Sequence, residues 1–158
     1  MRRWWDDGAH EPYPDGVLDH YCAAMRGEDP THHHIAYLGD RPVGMFQHYR
    51  IRDDPDYAKA LGLDEDAVGV DLFIGEPDLV GRGHGPELLR AYLRDVALPF
   101  HGLDVCVIGP SIRNSAAIRA YEKAGFVFLR DVAVPHEPDP ERLMRITRAD
   151  LGGSPPDR

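Results

Sequence analysis

The stretch Pro110-Ser111-Ile112-Arg113-Asn114-Ser115-Ala116-Ala117-Ile118-Arg119-Ala120-Tyr121-Glu122-Lys123-Ala124-Gly125-Phe126 decides how the rest of the chain is read. Residues 114–124 read as a helix, with Asn114, among the best N-cap residue types, at its start. Asn114 and Tyr121 are seven residues apart and so project from one helical face. β-rich runs flank the helix at 103–108 and 126–134, and upstream lie a further strand, 68–74, and a further helix, 86–98. Strand, helix, strand, helix, strand implies an α/β layer containing a parallel pair. Residues 143–146 can add a strand antiparallel to 126–134, with 135–140 as the connection.

Toward the N-terminus, residues 17–25 carry apolar side chains at helical spacing between Asp15-Gly16 and Gly27. Runs 35–38 and 43–51 flank Gly39-Asp40-Arg41-Pro42 and are expected to pair as an antiparallel hairpin. Residues 53–66 hold Asp53 and five further acidic residues, with only a brief helical possibility at 57–61, and read as a long acidic loop suited to a substrate lid. The expected class is α/β (α+β), a central mixed and mostly antiparallel sheet flanked by helices, in one domain over 1–151 with a frayed tail over 152–158.

A 158-residue chain that is 42% hydrophobic can bury one two-layer core without disulfides or metal. Its two cysteines, Cys22 and Cys106, have no zinc-like spacing and read as reduced core residues. No window nears 18 consecutive apolar residues, and Met1-Arg2-Arg3-Trp4-Trp5-Asp6-Asp7 lacks the apolar stretch of a signal peptide, so a cytoplasmic location and no membrane partner are expected. A net charge of -9 argues against nucleic acid and suits a cationic substrate, although acidity also serves plain solubility. His32-His33-His34 suggests a metal, but adjacent side chains diverge and no companion ligands are evident, so none is expected.

Between strand 68–74 and helix 86–98 lies Gly81-Arg82-Gly83-His84-Gly85, followed by Pro86 in a good first helical position. Alternate glycines let backbone N–H groups curl around an anion, the helix start adds positive potential, and Arg82 adds a permanent charge. A pyrophosphate fits; a simple turn is the plain alternative. Gly85-Pro86-Glu87 lacks the Lys and hydroxyl of a Walker loop, and the Gly-x-Gly-x-x-Gly spacing of a dinucleotide fold is absent.

The segment 110–126, ending in Tyr121-Glu122-Lys123-Ala124-Gly125-Phe126, closely resembles the helix that closes over coenzyme A in N-acetyltransferases of the GNAT superfamily. Together with Val70-Asp71-Leu72-Phe73-Ile74 and the glycine loop, it is similar to the aminoglycoside 6′-N-acetyltransferase branch, densely over 35–134. The resemblance implies acetyl-coenzyme A as cofactor, contacted by Leu72, Phe73, Ile74, Val80, Gly81, Arg82, Gly83, His84, Gly85, Asn114, Ala117 and Lys123. It further implies acetylation of a primary amine, antibiotic resistance as the setting, and an acceptor pocket using Trp4, Trp5, Gln47, Tyr49, Asp53, Asp54 and Asp71. An amine with a pKa near 10.4 must lose a proton before it attacks a thioester. Asp71 is the candidate to orient it and take that proton, and Tyr121 the candidate to protonate the leaving thiolate, while a backbone N–H near Phe73 would steady the oxyanion. Packing alone is the alternative for Tyr121, Trp4 and Trp5; for Asn114 it is the N-cap, which is compatible with a coenzyme contact.

Three departures stand out. The family's usual first strand and helix have no counterpart before Trp4-Trp5, which would leave strand 35–38 with an edge open to a homodimer partner. The family commonly carries Asp before the proline at Pro110, where this chain has Gly109, and Arg or Gln at the loop position held here by Val80. Two other readings therefore stand beside the aminoglycoside: N-hydroxylysine or N-hydroxyornithine acylation as in hydroxamate siderophore synthesis, for which His is expected at position 71, and a non-catalytic acyl-coenzyme A-binding module.

Overall fold

The computed structural model describes residues 22–24, 26–79, 81–135 and 137–152. Trp4, Trp5, Val80, most of the helix expected at 17–25 and nearly all of the tail lie outside these residues; 22–24 form a helical turn.

Six strands, β1 (His32–Leu38), β2 (Arg41–Arg50), β3 (Val68–Ile74), β4 (Val105–Ile108), β5 (Val127–Val132) and β6 (Glu141–Thr147), form one sheet in the order β1-β2-β3-β4-β6-β5. Every pairing is antiparallel except β3 with β4. Helices α1 (Pro55–Leu61), α2 (His84–Tyr92), α3 (Leu98–His101), α4 (Ser115–Ala124) and α5 (Arg148–Leu151) pack against the sheet. All four residues of β4 are buried, as a central strand covered on both faces requires. One face packs Phe46, Val70, Cys106 and Met144 against Leu89 of α2, Leu93 just beyond it, Leu98 of α3 and Ile118 of α4. The other packs Val105, Val107 and Leu143 against Leu61 of α1.

Three expectations change. The acidic segment 53–66 is not a long loop, because its sequence contains a complete helix-start signal. Asp54 caps α1 by accepting the Tyr57 N–H at 3.0 Å, Pro55 occupies the first turn, and Gly62 at φ 57° ends it. Leu61 is then fully buried, and Arg130 of β5 donates to the Gly62 carbonyl at 2.7 Å, which holds the helix to the sheet. The second helix also begins earlier than 86: Gly83, at φ 87°, is its N-cap, and His84 and Gly85 belong to its first turn. Pro86 is tolerated at the third position because first-turn N–H groups have no intrahelical acceptor. The helix continues through a π-helical turn, Leu93–Ala97, into α3, where Pro99 cannot supply a ladder N–H.

β1 begins at His32, three residues earlier than expected, because His32 and His34 share the face that stacks on His48, at ring distances of 5.0 and 5.4 Å. His48 is fully buried, and its Nδ1 lies 2.8 Å from His101 Nε2. Burial first, then the neighbouring imidazoles, push its pKa down to about 3. Below pH ~6.5 the unfolded chain binds a proton that folded His48 refuses, so stability is lost as pH falls from there toward 3. Between pH 7 and 5 the loss is about 2 kcal/mol, or a Tm decrease of about 5 °C. His48→Leu should flatten this dependence in thermal melts; an unchanged slope would assign the acid sensitivity elsewhere.

Candidate active site

The fold opens a fork between β3 and β4. Their parallel pairing is confined to Val68 with Cys106 and Gly69 with Val107. Beyond Ile108 the chain stays with β6: the Arg142 N–H donates to the Pro110 carbonyl at 2.8 Å, the Ile112 N–H to the Pro140 carbonyl at 3.0 Å, and Ser111 bridges Glu141. β3 instead follows β2, with Asp71 opposite Gln47 and Phe73 opposite Met45. The Gly75 N–H reaches the Val43 carbonyl, so strand alternation turns the N–H groups of Leu72 and Ile74 away from β2 and toward the fork.

Helix α4 carries Tyr121 to this region. Its orientation is fixed by Arg90 of α2, which donates to the Ala124 carbonyl at 2.8 Å, while Gly125 at φ 98° turns the chain back toward the sheet. The Tyr121 phenol is held protonated, chiefly by burial and then by the negative charge of Asp71. Asn114 caps α4 by accepting the Ala117 N–H at 3.1 Å, which leaves its side-chain amide N–H group outside the cap. Ala117 is half-buried and Lys123 exposed on the same helix.

The glycine loop stands at the start of α2. Gly81 and Gly83 have φ of 77° and 87°, a left-handed conformation that favours glycine, and a Cβ built on either would meet nothing within 4 Å. Open space before first-turn N–H groups suits an anion, with Arg82 exposed beside it. The nearby acids Glu76 and Asp78 would repel phosphate, but Arg41 binds both, with Nη2 2.8 Å from Asp78 Oδ1. The donor set, a glycine cradle at a helix start leading to a fork lined by strand N–H groups, fits the pyrophosphate and extended arm of coenzyme A.

On the opposite side of β3 lies a cavity of ≈ 650 Å³. Gln47, Tyr49, Asp53, Asp54 and Asp71 all line it, together with Tyr57, Gly109, Glu137 and Glu141. Gln47 Nε2 donates to Asp71 Oδ2 at 2.8 Å. Burial raises the Asp71 pKa, with Glu137 adding to the rise, whereas contacts from Gln47 and Tyr49 favour the ionised form. Tyr49 lies over Gly69, where a Cβ would stand 2.6 Å from its Cζ. Among the described residues the cavity lining contains six carboxyl groups, those of Asp29, Asp53, Asp54, Asp71, Glu137 and Glu141, and one cation, Arg50. Arg50 is paired with Asp66, its Nε 2.7 Å from Oδ2, so the cavity's balance is strongly anionic. Asp54 is spent partly on the α1 cap, while Asp53 ends the preceding 3₁₀ turn.

Tyr57, Glu137 and Glu141 are absent from the sequence-based set. The Asp54-Pro55 helix start was the signal for Tyr57, since it sets which residue of α1 faces inward. For Glu141 and Glu137 no local signal exists, because Glu141 follows from how β6 packs and Glu137 from the course of the segment between β5 and β6. Among the described residues no group of three or more His, Cys, Asp or Glu is arranged to hold a metal, and no helix is long and apolar enough to cross a membrane.

Residues 1–134 match the acetyltransferase (GNAT) domain family. The chain is 31% identical over 137 residues to an aminoglycoside N(6′)-acetyltransferase type 1 of Klebsiella pneumoniae, covering 85% of this chain and 67% of that protein. Among solved structures it is similar to the aminoglycoside acetyltransferase AAC(6′)-Ib in complex with coenzyme A, with a TM-score of 0.74 and 26% identity over 96% of this chain and 84% of the other. The same enzyme with coenzyme A and kanamycin gives 0.73 and 25% over the same shares. The chain belongs to the GNAT acetyltransferase family. It is an N-acetyltransferase, and its acetyl donor is acetyl-coenzyme A.

Proposed function

We propose that the acceptor is a multiply cationic small molecule, an aminoglycoside acetylated on its 6′ amine, with antibiotic resistance as the consequence. The observation that carries this reading is the Asp71 carboxylate, tied to Gln47 in an anionic cavity that opens beside the β3–β4 fork. Similarity to an aminoglycoside N(6′)-acetyltransferase supports it.

Bound acetyl-coenzyme A supplies an activated thioester. The N–H groups at the start of α2 and Arg82 hold its diphosphate, and Asn114, Ala117 and Lys123 offer contacts along α4. The Leu72 and Ile74 N–H groups, beside Phe73 and turned away from β2, are the donors that would steady the oxyanion of acyl transfer. Asp71 draws the acceptor ammonium into line through a charge-assisted hydrogen bond and helps remove its proton, directly or through water. Tyr121, kept protonated by its surroundings, is the group that would supply a proton to the leaving thiolate. Gln47 holds Asp71 in its rotamer, and Tyr49 with Asp53 and Asp54 surrounds the remaining ammonium groups.

The test is release of free thiol from acetyl-coenzyme A with a panel of aminoglycosides, linear polyamines and N-hydroxylysine. Saturable release with aminoglycosides is expected. Release only with N-hydroxylysine would replace this reading by hydroxamate synthesis.

A further inference from the structure

Glu141 sits where a different residue's side chain would stand. A Cβ built on Gly109 would overlap Glu141 Oε2 and come within 2.9 Å of its Cδ, so the carboxyl group occupies the side-chain space of position 109. Glu141 is the first residue of β6, next to the segment that β4 follows after the fork, and it reaches across to the cavity wall that Gly109 forms. The Tyr57 hydroxyl donates to Oε2 at 3.1 Å and fixes the group from the α1 side. The carboxyl is half-buried, lines the same cavity as Asp71, and has no cation among its contacts with the described residues.

The geometry points to Glu141 as the second ammonium-binding carboxylate of the acceptor site, a specificity residue whose place is made by Gly109 and whose direction is set by Tyr57. This rests on the amine-acceptor reading above and deepens it: the acceptor presents its reacting amine to Asp71 and a second ammonium to Glu141. Electrostatics support the assignment. Burial, then Glu137 and Asp71, push the Glu141 pKa up to about 7 against the opposing Tyr57 hydrogen bond, so an incoming ammonium is the counter-charge that restores its ionised form. A carboxyl packed only for structure would be expected to hold an Arg, a Lys or backbone N–H groups instead.

The test compares kanamycin, with several ammonium groups, and 6-amino-6-deoxyglucose, with one. The ratio of their kcat/KM values should fall at least tenfold in Glu141→Gln, and similarly in Gly109→Ala, whose methyl group displaces the carboxyl. In the swap Gly109→Asp with Glu141→Ala, which returns a carboxylate to the same space from the other strand, the ratio should recover to within threefold of the parent. A ratio within twofold of the parent in Glu141→Gln, or a swap that recovers nothing, overturns the proposal. If Glu141→Gln does not fold, Tyr57→Phe, which removes only the hydroxyl, should lower the ratio in the same direction, and an unchanged ratio counts against it. Calorimetric titration of the coenzyme A-loaded protein with kanamycin separates the two readings: binding weakened at least tenfold by Glu141→Gln supports the site even where no amine is acetylated, and equal binding rejects it.

Discussion

Asp71→Asn should lower kcat/KM for amine acetylation by about 10²–10⁴, with coenzyme A affinity unchanged in calorimetry. The substitution keeps the size of the side chain and its place opposite Gln47 on β2, so the loss reports charge rather than shape. Asparagine neither attracts an ammonium nor accepts its proton. Asp71 has unusual leverage because burial raises its pKa while Gln47 and Tyr49 favour ionisation, a balance that keeps a proton acceptor within a partly desolvated cavity. Tyr121→Phe should cost less, since a thiolate leaves with weaker need of a proton than an amine has of losing one. A fall of less than about threefold in Asp71→Asn would remove Asp71 from the chemistry.

The second large effect falls on Gly69, where no catalytic group stands. Gly69 is the last β3 residue paired with β4, opposite Val107, so it sits at the base of the fork. A Cβ there would overlap the Tyr49 ring, at 2.6 Å from Cζ, and come within 2.9 Å of Ile51 Cδ1. Replacing Gly by Ala usually gains about 0.4–1 kcal/mol by restricting the unfolded chain. Overpacking costs about 1–3 kcal/mol and outweighs that gain. Gly69→Ala should therefore lower the denaturation midpoint, and Gly69→Val should lower it further while expelling Tyr49 from the acceptor cavity and raising KM. An unaltered midpoint in both variants would show that Tyr49 moves aside freely.

Much of the architecture was legible because it is encoded locally. Gly39-Asp40 marks the β1–β2 turn, with Arg41 and Pro42 already paired in β2, and Asn114 marks the start of α4, where the structure shows its side chain capping the helix. Glycines at 62, 83 and 125 adopt the positive φ that ends or begins helices. The fork could not be read this way. It exists because residues 110–112 pair with 140–142 rather than with β3, a choice made between segments about thirty residues apart. Acidic composition hid α1, since Asp54 looks like one more loop carboxylate until its capping role is seen. Glu141 was hidden for a related reason: a charged residue at a strand's start reads as surface, and only the packing of β6 beside Gly109 turns it inward.

Gln47, Tyr49 and Asp71 show what residue spacing can and cannot supply. Alternation puts Gln47 and Tyr49 on one face of β2, and register sets Asp71 opposite Gln47. Neither feature says how deep the resulting cavity is or that Tyr57 closes it from α1. Gly69 lets the Tyr49 ring approach β3 more closely than any side chain there would allow.

The most direct test is product identification. Incubating the protein with kanamycin and acetyl-coenzyme A labelled with carbon-13 in the acetyl group should give a mono-acetylated aminoglycoside whose labelled carbonyl, in two-dimensional NMR, couples to the 6′ amide proton. Transfer to a hydroxyl group, or thiol release with the label found only in free acetate, would contradict amine acetylation in the Asp71 cavity.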